Sequence, residues 1–242
     1  MKTDKKYIDQ LSIDCVIFGY DQKQLKVLVP KLDFEGDFWA LPGGFILQDE
    51  GIDQAAQRIL EERTGIKDIF LEQYCVFGEV PRSNLALVDK LWALNQDKFY
   101  SIKKKDYTLE WLTQRFISIG YYALVDMNKV IPRLTDIDKS IDWIDIKDLP
   151  NMILDHGEQV RKALHALRLN LDNKLLGFNL LPLKFTMKEL QQLYETVYDK
   201  SFPRNNFQKK MLDLDVLERL EKKYTGAANK APYLYSFRSS VL

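Results

Sequence analysis

The stretch GGFILQDEGIDQAAQRILEERTGI, residues 43–66, constrains the fold of this chain more than any other. A glycine pair, whose backbone can take angles closed to other residues, leads through a short polar segment into a helix. Gly51 and Asp53 lie near the helix start, and Ile52, Ala55, Ala56, Ile59 and Leu60 recur at a spacing of three to four. Gly65 can supply the left-handed C-cap. Strands surround this unit. SIDCVIFGY and QLKVLVPKL, joined by DQK, read as a hairpin, and FWALPGGFI follows. IFLEQYCVFGEV and RFISIGYYALV are further strands, IDWIDIKDLP is a strand running into a turn, and DHGEQVRKALHALRLNL is an amphipathic helix.

Composition narrows the class. A chain of 242 residues, 46% hydrophobic and 12% aromatic, suits two domains or one large one and can build a core. No run of about 18 apolar residues suggests a membrane span. MKTDKKYIDQ has lysines without an apolar stretch behind them, so no secretory signal is expected and the cytoplasm is the expected location. Cys15 and Cys75 sit in apolar runs as buried thiols, and His156 and His165 lie in no zinc-type cluster. The formal net charge is zero but uneven: residues 160–242 carry 15 Lys+Arg against 8 Asp+Glu, and residues 1–159 carry 20 against 27. An acidic part joined to a basic part points to contact with a polyanion, uneven surface decoration being the alternative.

The opening stretch resembles the Nudix box: Gly, five residues, Glu, seven residues, then Arg-Glu-U-x-Glu-Glu-x-Gly-U, with U aliphatic. Gly44, Glu50, Arg58, Leu60, Glu62, Gly65 and Ile66 match in register, and WALPGG upstream looks like the family's lead-in. The resemblance implies an α/β (α+β) Nudix-like mixed sheet with helices over residues 1–155. It also implies three metal-holding glutamates on one helix face, at positions 59, 62 and 63, a spacing of i, i+3 and i+4. This chain has Ile59 and Arg63 at two of them. Mg²⁺ wants oxygen ligands, and one more unit charge about 4 Å from a cation changes the energy by roughly 4 kcal/mol at an effective dielectric near 20. No metal, cofactor or catalytic residue is therefore expected, and Arg58, Glu62 and Arg63 are expected to form an ion-pair network instead. The groove at the Gly43–Gly44 loop remains a pocket able to bind a small molecule, with Phe45, Arg58, Arg115 and Tyr121 as candidate lining.

The C-terminal part reads as a winged helix-turn-helix. Thr186 with Glu189 is a capping-box signature, and Leu190, Leu193, Tyr194 and Val197 form the apolar stripe of the helix behind it. DKSF turns the chain, and Pro203 fits an N-terminal helix position opening PRNNFQKKML. Phe207 and Met211 pack inward there, leaving Arg204, Asn205, Asn206, Gln208, Lys209 and Lys210 as candidates for DNA contact. DVLERLEKKY and PYLYSF read as wing strands, with Lys222, Lys223 and Lys230 able to follow a phosphate backbone. A basic face gripping a protein partner is the alternative.

Taken together, GFNLLPLKFT, LQQLYETVYD, NNFQKKM and YLYSF behind a degenerate box look like the Nudix-related transcriptional regulators. In that family the Nudix domain senses an effector, ADP-ribose or a pentose sugar such as arabinose or xylose, and a homodimer binds operator double-stranded DNA. The family's FG…R…RxxSxxYYAL pattern is matched by Phe77, Gly78, Arg82, Arg115, Ser118, Tyr121, Tyr122, Ala123 and Leu124, which adds Arg82 to the effector candidates. The resemblance thus implies an effector domain over 1–155 and a linker helix with a DNA-binding domain over 156–242. It departs at an insert of about 83–114, containing Trp92, Trp111 and Lys103–Lys105. The alternative function is a pyrophosphohydrolase for ADP-ribose or nucleotide sugars using Glu50, Glu62 and a repositioned Glu61.

Overall fold

Strand β1 (Tyr7–Asp21) is paired along both edges. It runs antiparallel to β2 (Gln24–Leu32) in the register Phe18↔Val27, and parallel to β5 (Ile117–Val125) in the register Ile13↔Ile119. With β4 (Phe70–Phe77) and β6 (Asp138–Asp145) the sheet order is β4-β5-β1-β2-β6, and β3 (Gly43–Leu47) pairs with the first half of β1. The computed structural model describes residues 6–21, 24–67, 69–80, 85–96, 111, 114–173, 180–223 and 231–238.

Neighbouring side chains of a strand point to opposite faces, and both faces of β1 are covered. Ile13, Cys15 and Ile17 enter a core with Ala55, Ala56, Ile59 and Leu60 of helix α1 (Ile52–Thr64). Val16 and Phe18 enter the opposite core. This double burial is why CVIFGY is a continuous apolar run rather than an alternating one. Helix α2 (Leu85–Leu94), within the insert, brings Leu91 against Leu32, Phe38 and Ala40. Asn95 ties it there, its amide nitrogen donating to Glu35 O and Leu91 O, both at 3.1 Å. Lys103–Lys105 lie outside the described residues.

Helix α3 (His156–Asn173) covers the other face of the sheet, and the core beneath it continues into the C-terminal part. There β7 (Phe185–Thr186), α4 (Met187–Tyr198), α5 (Arg204–Asp213), β8 (Leu217–Lys222) and β9 (Tyr233–Phe237) follow in order, with strand order β7-β9-β8. This is a winged helix with α5 as the second helix of the helix-turn-helix. The capping box forms: Glu189 N donates to Thr186 Oγ1 at 3.2 Å, and Thr186 N donates to Glu189 Oε2 at 2.6 Å. Pro203, expected as the first helical residue, stands instead at the N-cap, one position before the helix begins at Arg204.

One buried cluster holds Val16, Phe18 and Val29 of the sheet, Val160 and Leu167 of α3, and Leu190, Leu193, Phe207 and Met211 of the winged helix. The core therefore runs from the sheet through α3 into the winged helix. Polar contacts reinforce it. Arg168 Nε donates to Val197 O at 2.7 Å, Tyr198 Oη donates to Arg168 O at 2.7 Å, and Lys147 pairs with Asp199 at 2.6 Å.

Candidate functional site

The glycine pair of the box lies in strand β3 rather than in a loop, facing Asp14 and Ile13 of β1. Neither glycine has a positive φ, so conformational freedom is not what these positions demand. Space is. A Cβ on Gly43 would stand 2.7 Å from Asp14 Oδ1 and from Ile13 O, and one on Gly44 would stand 3.0 Å from Ile59. Gly65 does take the left-handed conformation, φ 72°, at the C-cap of α1.

Arg58 is the hub of the box. Its Nε and Nη2 donate to the two oxygens of Glu50, at 2.9 and 2.6 Å, and Nη2 also donates to Phe45 O at 2.9 Å. Nη1 reaches Glu62 at 3.3 Å. Arg58 holds the Glu50 carboxyl below its usual range, helped by the Leu47 amide, while burial works against it. The same bond to Glu50 raises the guanidinium's own pKa.

Arg63 does not join this network, contrary to the sequence expectation. It is buried, and its Nη1 bonds Asp138 Oδ2 at 2.5 Å, the two side chains being only 5% and 2% exposed. Asp138 comes from β6, 75 residues away, and no local pattern announces that partner. The same carboxylate accepts from Thr135 N and Oγ1, both at 2.7 Å. Ile59 is 1% exposed and packs beneath Gly44. Glu61 points elsewhere and pairs with exposed Lys67 at 3.4 Å.

The Nudix box implies a divalent cation, and these residues do not fit one. Of the three ligand positions one is a core hydrophobe, one is a cation spent on a buried aspartate, and the third, Glu62, faces Arg58. Among the described residues no group of three His, Cys, Asp or Glu is placed to hold a metal ion.

The effector candidates lie apart in character. Phe45 sits in an aromatic cluster with Trp111 of the insert (4.7 Å between centroids), Phe116 (5.5 Å) and Tyr7 (5.6 Å). Arg115 is exposed and donates to Gly78 O at 2.5 Å. Tyr121 is 2% exposed, a core ring whose hydroxyl donates to Asp53 Oδ1 at 2.5 Å and pins the first turn of α1. Arg82 lies outside the described residues.

Sequence reasoning missed a buried polar knot. Asp14 accepts from Ser118 Oγ at 2.5 Å and from Gln159 Nε2 at 2.9 Å, and His156 Nδ1 accepts from Leu41 N at 2.9 Å. His156 Nε2 stands 3.7 Å from Asp14. The knot joins β1 and the box lead-in to the first turn of α3. Its signal was an acid inside the apolar run SIDCVIFGY.

On the winged helix, Phe207 and Met211 of α5 are buried and Arg204, Asn205, Asn206, Lys209 and Lys210 are exposed, with Gln208 half-buried. Among the described residues no carboxylate lies within ion-pairing distance of Arg204 or Lys209. Lys210 stands 5.8 Å over the Tyr194 ring and Lys222 5.5 Å over the Tyr233 ring. Lys223 bonds Glu189 at 3.1 Å. Lys230 lies outside the described residues.

A mixed sheet between α1 and α3, carrying a box that leads into α1, and a winged helix on the same core define a Nudix domain joined to a DNA-binding module. The chain belongs to the Nudix family, whose NUDIX domain model matches residues 9–167. A second model, the NrtR DNA-binding winged helix domain, matches residues 177–237. Over 234 residues the chain is 26% identical to the ADPR responsive transcriptional repressor NtrR of Acinetobacter baylyi, covering 94% of this chain and 81% of that protein. It is also 28% identical over 144 residues to an RNA pyrophosphohydrolase of Pelagibacter ubique, covering 58% of this chain and 80% of that one. Its fold is that of Shewanella oneidensis NrtR crystallised with a 27mer DNA: TM-score 0.71, 23% identity, 96% of this chain and 95% of the other covered.

Proposed function

We propose that this protein is an effector-responsive transcriptional regulator: its Nudix domain binds ADP-ribose without cleaving it, and its winged helix binds operator double-stranded DNA as a homodimer. The observation that carries the reading is the disposition of charge. The cations of the box are consumed by intramolecular acids, whereas Arg204 and Lys209 of α5 are exposed and unpaired among the described residues. A box so closed retains a fold but not a metal site. A helix so open suits phosphates and base edges. The relative from Acinetobacter baylyi, similar along nearly the whole chain, is described as ADPR responsive, which favours ADP-ribose over a pentose.

A homodimer would present two α5 helices to half-sites about 34–36 Å apart, so a small rotation between protomers spoils the fit. ADP-ribose acts if it binds the two arrangements with different affinity. The polar knot at Asp14, His156 and Gln159 ties β1 to α3, and the shared core continues from α3 into the winged helix, so the Nudix sheet is connected to it through α3.

The test is to select an operator from a random duplex pool and titrate it with ADP-ribose, arabinose and xylose. ADP-ribose is expected to change operator affinity by about 5- to 150-fold, the usual span of allosteric coupling. No change with ADP-ribose overturns the sensor reading. Turnover of ADP-ribose with Mg²⁺ or Mn²⁺ above about 0.1 s⁻¹, still below the usual enzyme range, would favour the pyrophosphohydrolase instead.

A further inference from the structure

Between the first turn of α4, the exposed side of α5 and the start of β9 lies a groove of about 670 Å³. Lys188, Arg204, Gln208 and Tyr233 line it, together with Thr186 and Pro232. Of these, only Arg204 and Gln208 belong to α5.

Three features suit this groove to a strand of phosphates. Lys188 is exposed and, among the described residues, has no acidic partner, so its ammonium is available. The one acid of the same helix turn, Glu189, is already occupied: burial pushes its pKa up most, but the Thr186 amide and hydroxyl and Lys223 together hold it below the usual range. The turn therefore presents the positive end of α4 without a free carboxylate to repel an anion. Tyr233, 37% exposed, is flanked by two cations of β8: the Arg219 guanidinium stands 4.4 Å and the Lys222 ammonium 5.5 Å from its ring centre. The ring holds both charges beside the β9 wall, where Tyr233 itself lines the groove and the two cations stand next to it. Glu195, the one acid among the lining residues, is turned to the Phe202 amide at 2.9 Å and to Gln191 at 3.0 Å, where it holds the turn between the helices.

We infer that one DNA strand runs along this groove, with Lys188 and the Tyr233 hydroxyl contacting its phosphates on either side of α5. The inference rests on the proposed DNA binding and deepens it. It moves part of the affinity from the recognition helix to α4 and the base of the wing, and it assigns Tyr233 a positioning role for Arg219 and Lys222 as well as its own contact. Phosphate contacts carry no sequence information, so this surface should set affinity and salt dependence and leave base preference to α5.

The full-length protein would be titrated against a random-sequence duplex of about 30 base pairs, long enough for two half-sites a turn apart, over a series of salt concentrations. Each phosphate contact contributes about 0.9 to the slope of log K against log salt. Lys188→Gln is expected to lower the slope by about that amount for each protomer bound, about 1.8 for a homodimer on two half-sites, and to weaken binding to every sequence alike. Tyr233→Phe, which keeps the ring beside Arg219 and Lys222, is expected to weaken binding a few-fold with a smaller change in slope than Lys188→Gln. Lys184→Gln is the control, because Lys184 is an exposed lysine paired with Glu221 at 2.8 Å and lies outside the groove. An unchanged slope in Lys188→Gln, with the wild-type melting temperature and with Arg204→Ala still impaired, overturns the phosphate track and leaves DNA binding standing. Failure of the wild-type protein to bind any duplex, including selected ones, overturns both.

Discussion

Helices α1 and α5 carry similar charged residues to opposite ends. In α1, Arg58 and Arg63 face Glu50, Glu62 and Asp138, and the inner pair is almost wholly buried. In α5, Arg204 and Lys209 face solvent with no acid within reach among the described residues. A cation closed on its own chain holds that chain together, whereas an open one is available to a partner. Changes in α1 should therefore act on stability, and changes in α5 should act on binding.

Asp138→Ala should have the largest effect on stability. It leaves Arg63 charged, buried and unpaired, and the Nε of Arg63 is already without a hydrogen-bond partner. Breaking such a pair costs about 3–5 kcal/mol. Denaturant unfolding would show it as a lower midpoint. A loss below about 1 kcal/mol would mean the pair behaves as an exposed one and would remove the distinction between the helices. Arg63→Glu should be no milder, since it sets two carboxylates together, and it should not create a metal site while Ile59 stays in the core.

Arg204→Ala and Lys209→Ala are the mirror image. Their stability should stay within the scatter of surface substitutions, about 0.5 kcal/mol. Operator affinity should fall by about 1–3 kcal/mol where a base-edge contact is lost, and more uniformly across sequences where a phosphate contact is lost. Gel-shift titration separates the two, and full affinity in both variants would remove α5 as the recognition helix.

These contrasts also show what a sequence can reveal. The box, the two strands on either side of DQK, the capping box at Thr186 and the buried stripe Leu190, Leu193, Tyr194 and Val197 were all legible, because spacing along the chain encodes them. Ile59 and Arg63 were legible as departures. Their environments were not. The partner of Arg63 lies on β6, and only the sheet brings it near. The glycine pair misled for a related reason: glycine signals either free backbone angles or close approach, and the sequence does not say which. Here β1 lies too close for a Cβ. The continuity of the core past residue 156 was equally hidden, since Val160 and Leu190 carry no mark of sharing one cluster.

The interdomain contact at Lys147 and Asp199 offers a smaller test. Both groups are exposed, and each shifts the other in the expected sense, the lysine upward and the aspartate downward. Exposed pairs contribute little to stability, because water and salt screen them. Lys147→Ala should therefore leave the melting point nearly unchanged. If the seam transmits the effector signal, the same variant should alter how far ADP-ribose changes operator affinity without altering affinity in its absence. An identical effector response in the variant would assign the coupling to the shared core and the polar knot alone.

The finest division between the helices lies in acid. Glu50 has its pKa lowered below the ordinary 4.5 by Arg58, so the pair stabilises the folded state fully only above that value. As pH falls from there through the lowered folded value, protonation removes the contribution. Glu50→Gln should thus cost about 1 kcal/mol near neutrality, as a partly exposed pair does, and the difference from wild type should shrink toward zero in acid. Unfolding midpoints of the two proteins, measured from pH 7 down to about 3, would trace it. A difference that persists undiminished at the acid end would show that the Glu50→Gln change disturbs packing rather than charge. For Arg204→Ala no such pH dependence is expected, because no carboxylate faces that arginine among the described residues. Acid therefore separates a charge that closes on its own fold from one left open to a partner.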